Sequence, residues 1–444
     1  MDRNNVPVTQ FVNLDALPPV ISQDMTNGTP LYLIPVSDTD IVRADFMFSG
    51  GAWAQEIPLQ ALLAMRLIKE GTTSRSAQEI NELLDFYGAT VSSVVYKTYS
   101  LISVVCLRKH LEHVLPIVWD ILCNPAYEQN SFQIAIQQAY ANFMIKKEKV
   151  KSQAERVFYE AIFGKHHPMA AFEYQEHFSM LSVDLLRQYY KKCVNSENCR
   201  LFLTGGYDDS SVKLLQDTFG KDCWGIQSGK FELKPAGFPA NSFEQFYASD
   251  KDERLSADIP HRRINFAMEQ PTVQSALYAG CVLPKVQGED RAYLILANML
   301  LGGFFGSRLM NNIREEKGYT YGINSALVAN PFFTLFCVQT ETANQFVDSV
   351  IREINFEIER IISELPSVEE LEIVKKYYSG SVCRIYEANF SFTNQLIKKI
   401  GVGNEHVSTL QALETIRKAA PENITDTLKR YLSPNNVVWC VAGA

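Results

Sequence analysis

The run Leu300-Leu301-Gly302-Gly303-Phe304-Phe305-Gly306-Ser307-Arg308-Leu309 continues through Met310 to Ile313 into Arg314-Glu315-Glu316-Lys317-Gly318-Tyr319-Thr320-Tyr321-Gly322, and its reading decides the fold of this 444-residue chain. A helix that ends near Leu301 passes into a glycine-containing turn. A second helix is expected from Ser307 to Lys317, stopped by Gly318 and followed by a strand. The glycines alone say little, and no Gly-Lys-Ser/Thr follows them, so the turn is not a phosphate loop. Taken in isolation, Arg314 is a solvated residue at a favourable helix end and Tyr321 is a strand residue.

Working outward, the two halves of the chain end alike. Leu185-Leu186-Arg187-Gln188-Tyr189-Tyr190 reads as an amphipathic helix, Asn195-Ser196-Glu197-Asn198 as a polar turn, and Leu201-Phe202-Leu203-Thr204-Gly205-Gly206 as an apolar strand closing on glycine. Leu428-Lys429-Arg430-Tyr431-Leu432, Ser433-Pro434-Asn435-Asn436 and Val437 to Gly443 repeat that order about half a chain later, which points to duplication. Each half also opens with extended segments followed by a helix. In the first, Leu31 to Val36 and the alternating Ala44, Phe46 and Phe48 read as strands, Leu59 to Lys69 as helix, and Ser76 with Glu79 as a capping box. In the second, Val273 to Leu283 reads as strand and Arg291 to Leu301 as helix, and Ser367 with Glu370 caps another.

Strands and helices mix without the regular alternation of a parallel βαβ fold. The fold class expected is therefore α+β: two homologous domains, each an antiparallel sheet with helices on one face, facing each other across a cleft. The domains are set at residues 1–225 and 263–444. Residues 226–262, rich in Pro, Gly, Ser and charge, are the expected linker.

A content of 46% hydrophobic and 21% charged residues suffices for more than one core. With 42 basic against 50 acidic residues the net charge is -8, which speaks against a nucleic-acid surface. No apolar run approaches the ~18 residues of a membrane span, and Met1-Asp2-Arg3-Asn4-Asn5 leads into a polar stretch without a secretory h-region. A soluble, cytoplasmic protein is expected. Nine cysteines without a Cys-x-x-Cys pair fit reduced, mostly buried thiols.

The glycine-rich turn, Ser307-Arg308-Leu309, Ile313-Arg314-Glu315, Gly318 and a tyrosine seven residues after the arginine together resemble the C-terminal-domain signature of pitrilysin-type zinc peptidases, a family that includes the mitochondrial processing peptidase and bacterial relatives. Asn27-Gly28, Gly50-Gly51, Gly71-Thr72 with Ser74-Arg75-Ser76, and Phe163-Gly164 with His167-Pro168 extend the resemblance through most of the chain. It implies two α+β domains per chain and a closed chamber built from several of them. It further implies that Arg314 holds the peptide backbone and that Tyr321 donates to the oxyanion of the tetrahedral intermediate. Gly302, Gly303, Phe304, Phe305 and Ser307 would line the substrate path.

Active members carry His-x-x-Glu-His on a helix, ending six residues before the Thr of a Gly-Thr pair. Two such histidines share a helix face and ligate zinc, and the glutamate activates the bound water. Counting back from Gly71-Thr72 gives Leu62-Leu63-Ala64-Met65-Arg66, so Leu62 and Arg66 occupy the ligand positions and Met65 that of the base. The third ligand, a glutamate, would fall near Ala141-Asn142.

The chain is accordingly expected to bind no metal or other cofactor and to be inactive alone. It would be the non-catalytic subunit of a heteromeric metallopeptidase whose zinc resides in a sister subunit, with a peptide as shared substrate; the state of the isolated chain, homodimer included, is left open. The alternative is a structural or scaffold homologue with no part in proteolysis. His110-Leu111-Glu112-His113 matches no zinc-peptidase order and reads as a polar helix face, and His166-His167 as a turn.

Overall fold

The matching ends of the two halves are matching strands. In the computed structural model, which describes residues 11, 17–236, 255–258, 262–388 and 390–443, the first half forms β1 (Ile21–Asp24), β2 (Pro30–Pro35), β3 (Ile41–Ser49), β4 (Thr90–Val95), β5 (Tyr99–Leu107) and β6 (Cys199–Gly205). The second forms β7 (Leu255–Asp258), β8 (Arg263–Ala267), β9 (Gln274–Pro284), β10 (Thr320–Ala329), β11 (Phe333–Ala343) and β12 (Val438–Gly443). The sheet orders are β1-β2-β6-β3-β5-β4 and, read from the corresponding edge, β7-β8-β12-β9-β11-β10. The second repeats the first strand for strand.

Neighbours run antiparallel except β2 with β6 and β8 with β12, which are parallel. These exceptions share a cause. The closing strand of each half returns from a helical excursion and inserts beside the opening one, as a parallel pair requires. The expected linker 226–262 is shorter than the composition suggests: Leu255–Asp258 is already the edge strand β7, and residues 237–254 and 259–261 lie outside the described residues. On its near side, Phe231 N donates to Asn198 Oδ1 and Trp53 Nε1 to the Lys234 carbonyl, so the chain is still docked on the first half there.

Each sheet carries the helices of its own half on one face, as expected, and its other face is buried as well. Along β3, Phe46 and Phe48 point into the main helical core while Met47 points the other way, yet all three are fully buried. The second face is covered by a helix from the opposite half. Phe392, Ile397 and Ile400 of helix Ser391–Gly401 pack on Ile34, Met47 and Phe202 of the first sheet. Reciprocally, Val157, Phe158 and Ala161 of helix Val150–Phe163 pack on Ile264, Ala276 and Tyr278 of the second.

Polar contacts pin the exchanged helices. Arg43 donates to Asp45 within β3 at 2.7 Å and to Asn394 at 2.8 Å, and Thr98 Oγ1 donates to the Gly401 carbonyl at 2.6 Å. All nine cysteines are free and seven are buried. Among the described residues no helix is long and apolar enough to cross a membrane.

Candidate functional site

Helix Gln60–Leu67 carries the residues that stand where metal ligands would. Its buried stripe is Ala61, Leu63, Ala64, Met65 and Leu67, so the Met65 thioether belongs to the core. Leu62 is 47% exposed, and Arg66, four residues on, shares its face. Arg66 Nη2 donates to Gln138 Oε1 at 2.5 Å on the facing helix Gln129–Lys147. Ala141 and Asn142 are exposed on the following turn of that helix. The residue apposed to the arginine is thus Gln138, one turn earlier than Asn142, a position that counting from a distant Phe-Gly pair did not single out. A methyl-tipped side chain, a guanidinium and an amide offer no ligand set for zinc. Among the described residues no three His, Cys, Asp or Glu side chains converge as a metal site.

Just beyond this helix, the Gly71-Thr72 and Ser74-Arg75-Ser76 motifs acquire a structural meaning. Thr72 Oγ1, Ser74 Oγ and Arg75 Nη1 all donate to Asp120 Oδ2, at 2.7, 2.6 and 2.5 Å, and Asn124 Nδ2 donates to Oδ1 at 3.1 Å. Burial pushes the Asp120 carboxyl up, but the hydrogen bonds from Ser74, Thr72, Asn124 and Arg75 outweigh it and hold the group below its ordinary value. Ser76 and Glu79 form the reciprocal capping box that opens the next helix.

In the second half, helix Gly288–Asn298 widens into a π-helical turn at Met299–Gly303. The turn lies directly on β10: a Cβ at Gly302 would sit 2.7 Å from both the backbone nitrogen and the hydroxyl of Ser325, so only glycine fits. Phe304 turns onto Tyr377 at 5.0 Å between ring centroids, while Phe305 stays 64% exposed. Ser307 is buried. Arg308 forks onto Glu370 through two 2.8 Å bonds, which ties the turn to the capped start of helix Val368–Glu387.

The expected helix Ser307 to Lys317 exists, but it is π-helical over Met310–Glu316, a geometry that apolar spacing does not reveal and that recurs at functional sites. Arg314 sits in this wide turn with its guanidinium carbon 4.7 Å from the Phe305 ring centroid. Its Nη1 lies 3.0 Å from Glu315 Oε1, an ion pair by distance without the alignment of a hydrogen bond.

Tyr321 stands on a β-bulge. Thr320 pairs with Thr342 and the next registered pair is Ile323 with Thr340, so Tyr321 and Gly322 together oppose Glu341. Two threonines clamp the bulge. Thr320 Oγ1 accepts from Gly322 N at 3.1 Å and bonds Thr340 Oγ1 at 2.8 Å, and Thr340 Oγ1 donates to the Gly322 carbonyl at 2.9 Å. A bulge re-aims the side chain it carries. Here Tyr321 is 92% exposed, and its hydroxyl has no hydrogen-bond partner among the described residues. It borders a hollow of about 260 Å³ shared with Lys151, Tyr278, Asn324, Gln339 and Glu341. The structure therefore joins the glycine-rich turn to Arg314 through Phe305 and places Tyr321 on the strand that follows, while Leu62, Met65 and Arg66 belong to the other half.

His113 and His167, one from each histidine pair, have structural explanations. His113 stacks on Tyr87 at 5.0 Å and lies 3.4 Å from Glu112 on an exposed face. His167 caps the short turn Pro168–Ala170, accepting from Met169 N at 3.1 Å, and stacks on Phe163.

Residues 181–378 match the family model described as the Peptidase M16 inactive domain. Over 390 residues the chain is 21% identical to a Helicobacter pylori protein called a non-peptidase homolog, covering 86% of this chain and 83% of that one. A Bacillus subtilis protein called an uncharacterized zinc protease is 25% identical over 260 residues; the match spans 58% of this chain and only 57% of that protein. Among solved structures, a peptidase M16 inactive domain from Pseudomonas fluorescens superposes with a TM-score of 0.80 at 19% identity, over 96% of this chain and 98% of that one. This chain is thus similar to M16 peptidases, and the matched residues 181–378 run from the end of its first half through much of its second.

Proposed function

We propose that this chain is the non-catalytic subunit of a two-chain peptidase: it closes the chamber around a peptide and lends Arg314 and Tyr321 to the site of a zinc-bearing sister subunit. The observation that carries this reading is the contrast between the two sites. The catalytic-base position is a buried thioether, whereas Tyr321 projects, exposed, from a bulge clamped by Thr320 and Thr340. A phenol fixed in that way is preorganised to donate to a developing oxyanion. Arg314, backed by the Phe305 ring, presents fixed donors to a peptide carbonyl, in the ground state as well as in the transition state. The sister subunit would supply the Lewis acid and the base.

Purification of the tagged full-length chain from its native host tests the reading. The expected result is a stoichiometric companion bearing His-x-x-Glu-His, and peptide cleavage by the pair but by neither chain alone. A pair without such cleavage would move the assignment to the scaffold reading.

A further inference from the structure

A second cavity, of about 410 Å³, opens on the helical side of the second half, away from the bulge. Its floor is Leu327 and Val328 of β10, and its walls come from helices Gly288–Asn298, Val368–Glu387, Ser391–Gly401 and Thr409–Lys418. Half of the lining residues are aliphatic, Leu294, Ile295, Val382 and Ile385 among them. Four cationic side chains line it as well, Lys285, Arg291, Lys398 and Lys399, and among the described residues no Asp or Glu does. In a chain of net charge -8 such a one-signed cluster stands out.

Two of the cations have structural work. Lys285 Nζ donates to the Gly403 carbonyl at 3.1 Å, and Lys399 Nζ to the Val407 carbonyl at 3.0 Å and to Thr409 Oγ1, so both pin the loop at the cavity rim. Arg291 and Lys398 have no hydrogen bond or ion pair among the described residues. Arg291 and Lys399 line the same cavity, and burial, and then the neighbouring Arg291 charge, hold the Lys399 ammonium below its ordinary value. Like charges gathered around one cavity repel, and an anion placed between them relieves that cost. The volume falls in the range of small-molecule sites.

We propose that this cavity binds an amphiphilic anion, an alkyl chain lying along Leu294, Ile295, Val382 and Ile385 with its carboxylate or phosphate head held by Arg291 and Lys398. The site is separate from the bulge and independent of the proposed peptidase role. Calorimetric titration of the full chain with decanoate, decyl phosphate and decanol tests it. Saturable binding of at least one anion is expected, with decanol at least tenfold weaker and with affinity falling as salt rises. The stronger of the two anions identifies the head group. Loss of a charge-assisted bond in Arg291→Gln should weaken the anion about tenfold to a hundredfold, with the circular-dichroism spectrum unchanged. The proposal is overturned if neither anion saturates at millimolar concentration, or if decanol binds as well as both. Because that comparison uses the wild-type chain, it decides the matter even if the variant misfolds; a folded Arg291→Gln chain of wild-type affinity would equally overturn it.

Discussion

Replacing Phe158 with alanine probes the exchange of helices directly. Phe158 belongs to the first half by sequence, yet its ring is fully buried against the second sheet: its centroid lies 5.6 Å from that of Tyr278, and its Cζ would be 3.0 Å from a Cβ built at Gly280. Phe-to-Ala truncations in such settings cost about 3–5 kcal/mol, transfer and cavity terms together. At about 1.4 kcal/mol per factor of ten, the protected amides of β9 and β12 should exchange roughly a hundredfold to a thousandfold faster or more. Hydrogen exchange read by mass spectrometry on peptides covering 274–284 and 438–443 measures this. If those peptides exchange at the wild-type rate and only residues 150–163 speed up, the halves are independent units and the interlocked core is wrong.

Rebuilding the metal motif as Leu62→His, Met65→Glu and Arg66→His should yield at most weak zinc binding, because Gln138, Ala141 and Asn142 supply no third carboxylate and position 65 faces the core; competition against a chromogenic chelator reads the affinity, and about one tightly held zinc per chain would contradict the account. Asp120 should matter most above acid pH: its folded-state value is depressed, so its contribution is fully present above the unfolded value near ~3.9 and is lost as pH falls through the lower folded one. Urea unfolding of Asp120→Asn should therefore show lower stability than wild type at pH 7 and a smaller further loss toward pH 3, and an equal acid response in both proteins would refute the assignment.

What the sequence made legible followed from local rules. The capping box at Ser76 and Glu79 and the strand-then-glycine endings at Gly205 and Gly443 depend on neighbours in the chain, and they recur in the fold as read. The exchanged helices were not legible. Helix Val150–Phe163 buries nine of its residues, which says that it is enclosed but not by which sheet. The same holds for β3, where alternation marked Phe46 and Phe48 but gave no sign that Met47 meets a helix some 350 residues later. At the candidate site, Arg314 and Tyr321 were visible only through their spacing in a family pattern. The glycine-rich turn that brings Phe305 to Arg314 rests on the fit of Gly302 against Ser325, and the bulge that re-aims Tyr321 on the Thr320 and Thr340 pair across strands, contacts that no single-strand periodicity encodes.

The measurement that bears most directly on the shared-site reading is the turnover of the reconstituted pair with Tyr321→Phe in this chain. The substitution removes one exposed hydroxyl that holds nothing else, so folding and assembly should be unchanged while kcat falls about 10²–10³-fold, the loss of one oxyanion donor. Arg314→Ala alongside it should also raise KM, since its donors would hold the docked peptide as well. Wild-type turnover from an intact complex carrying Tyr321→Phe would contradict the claim that this chain completes the active site of its partner.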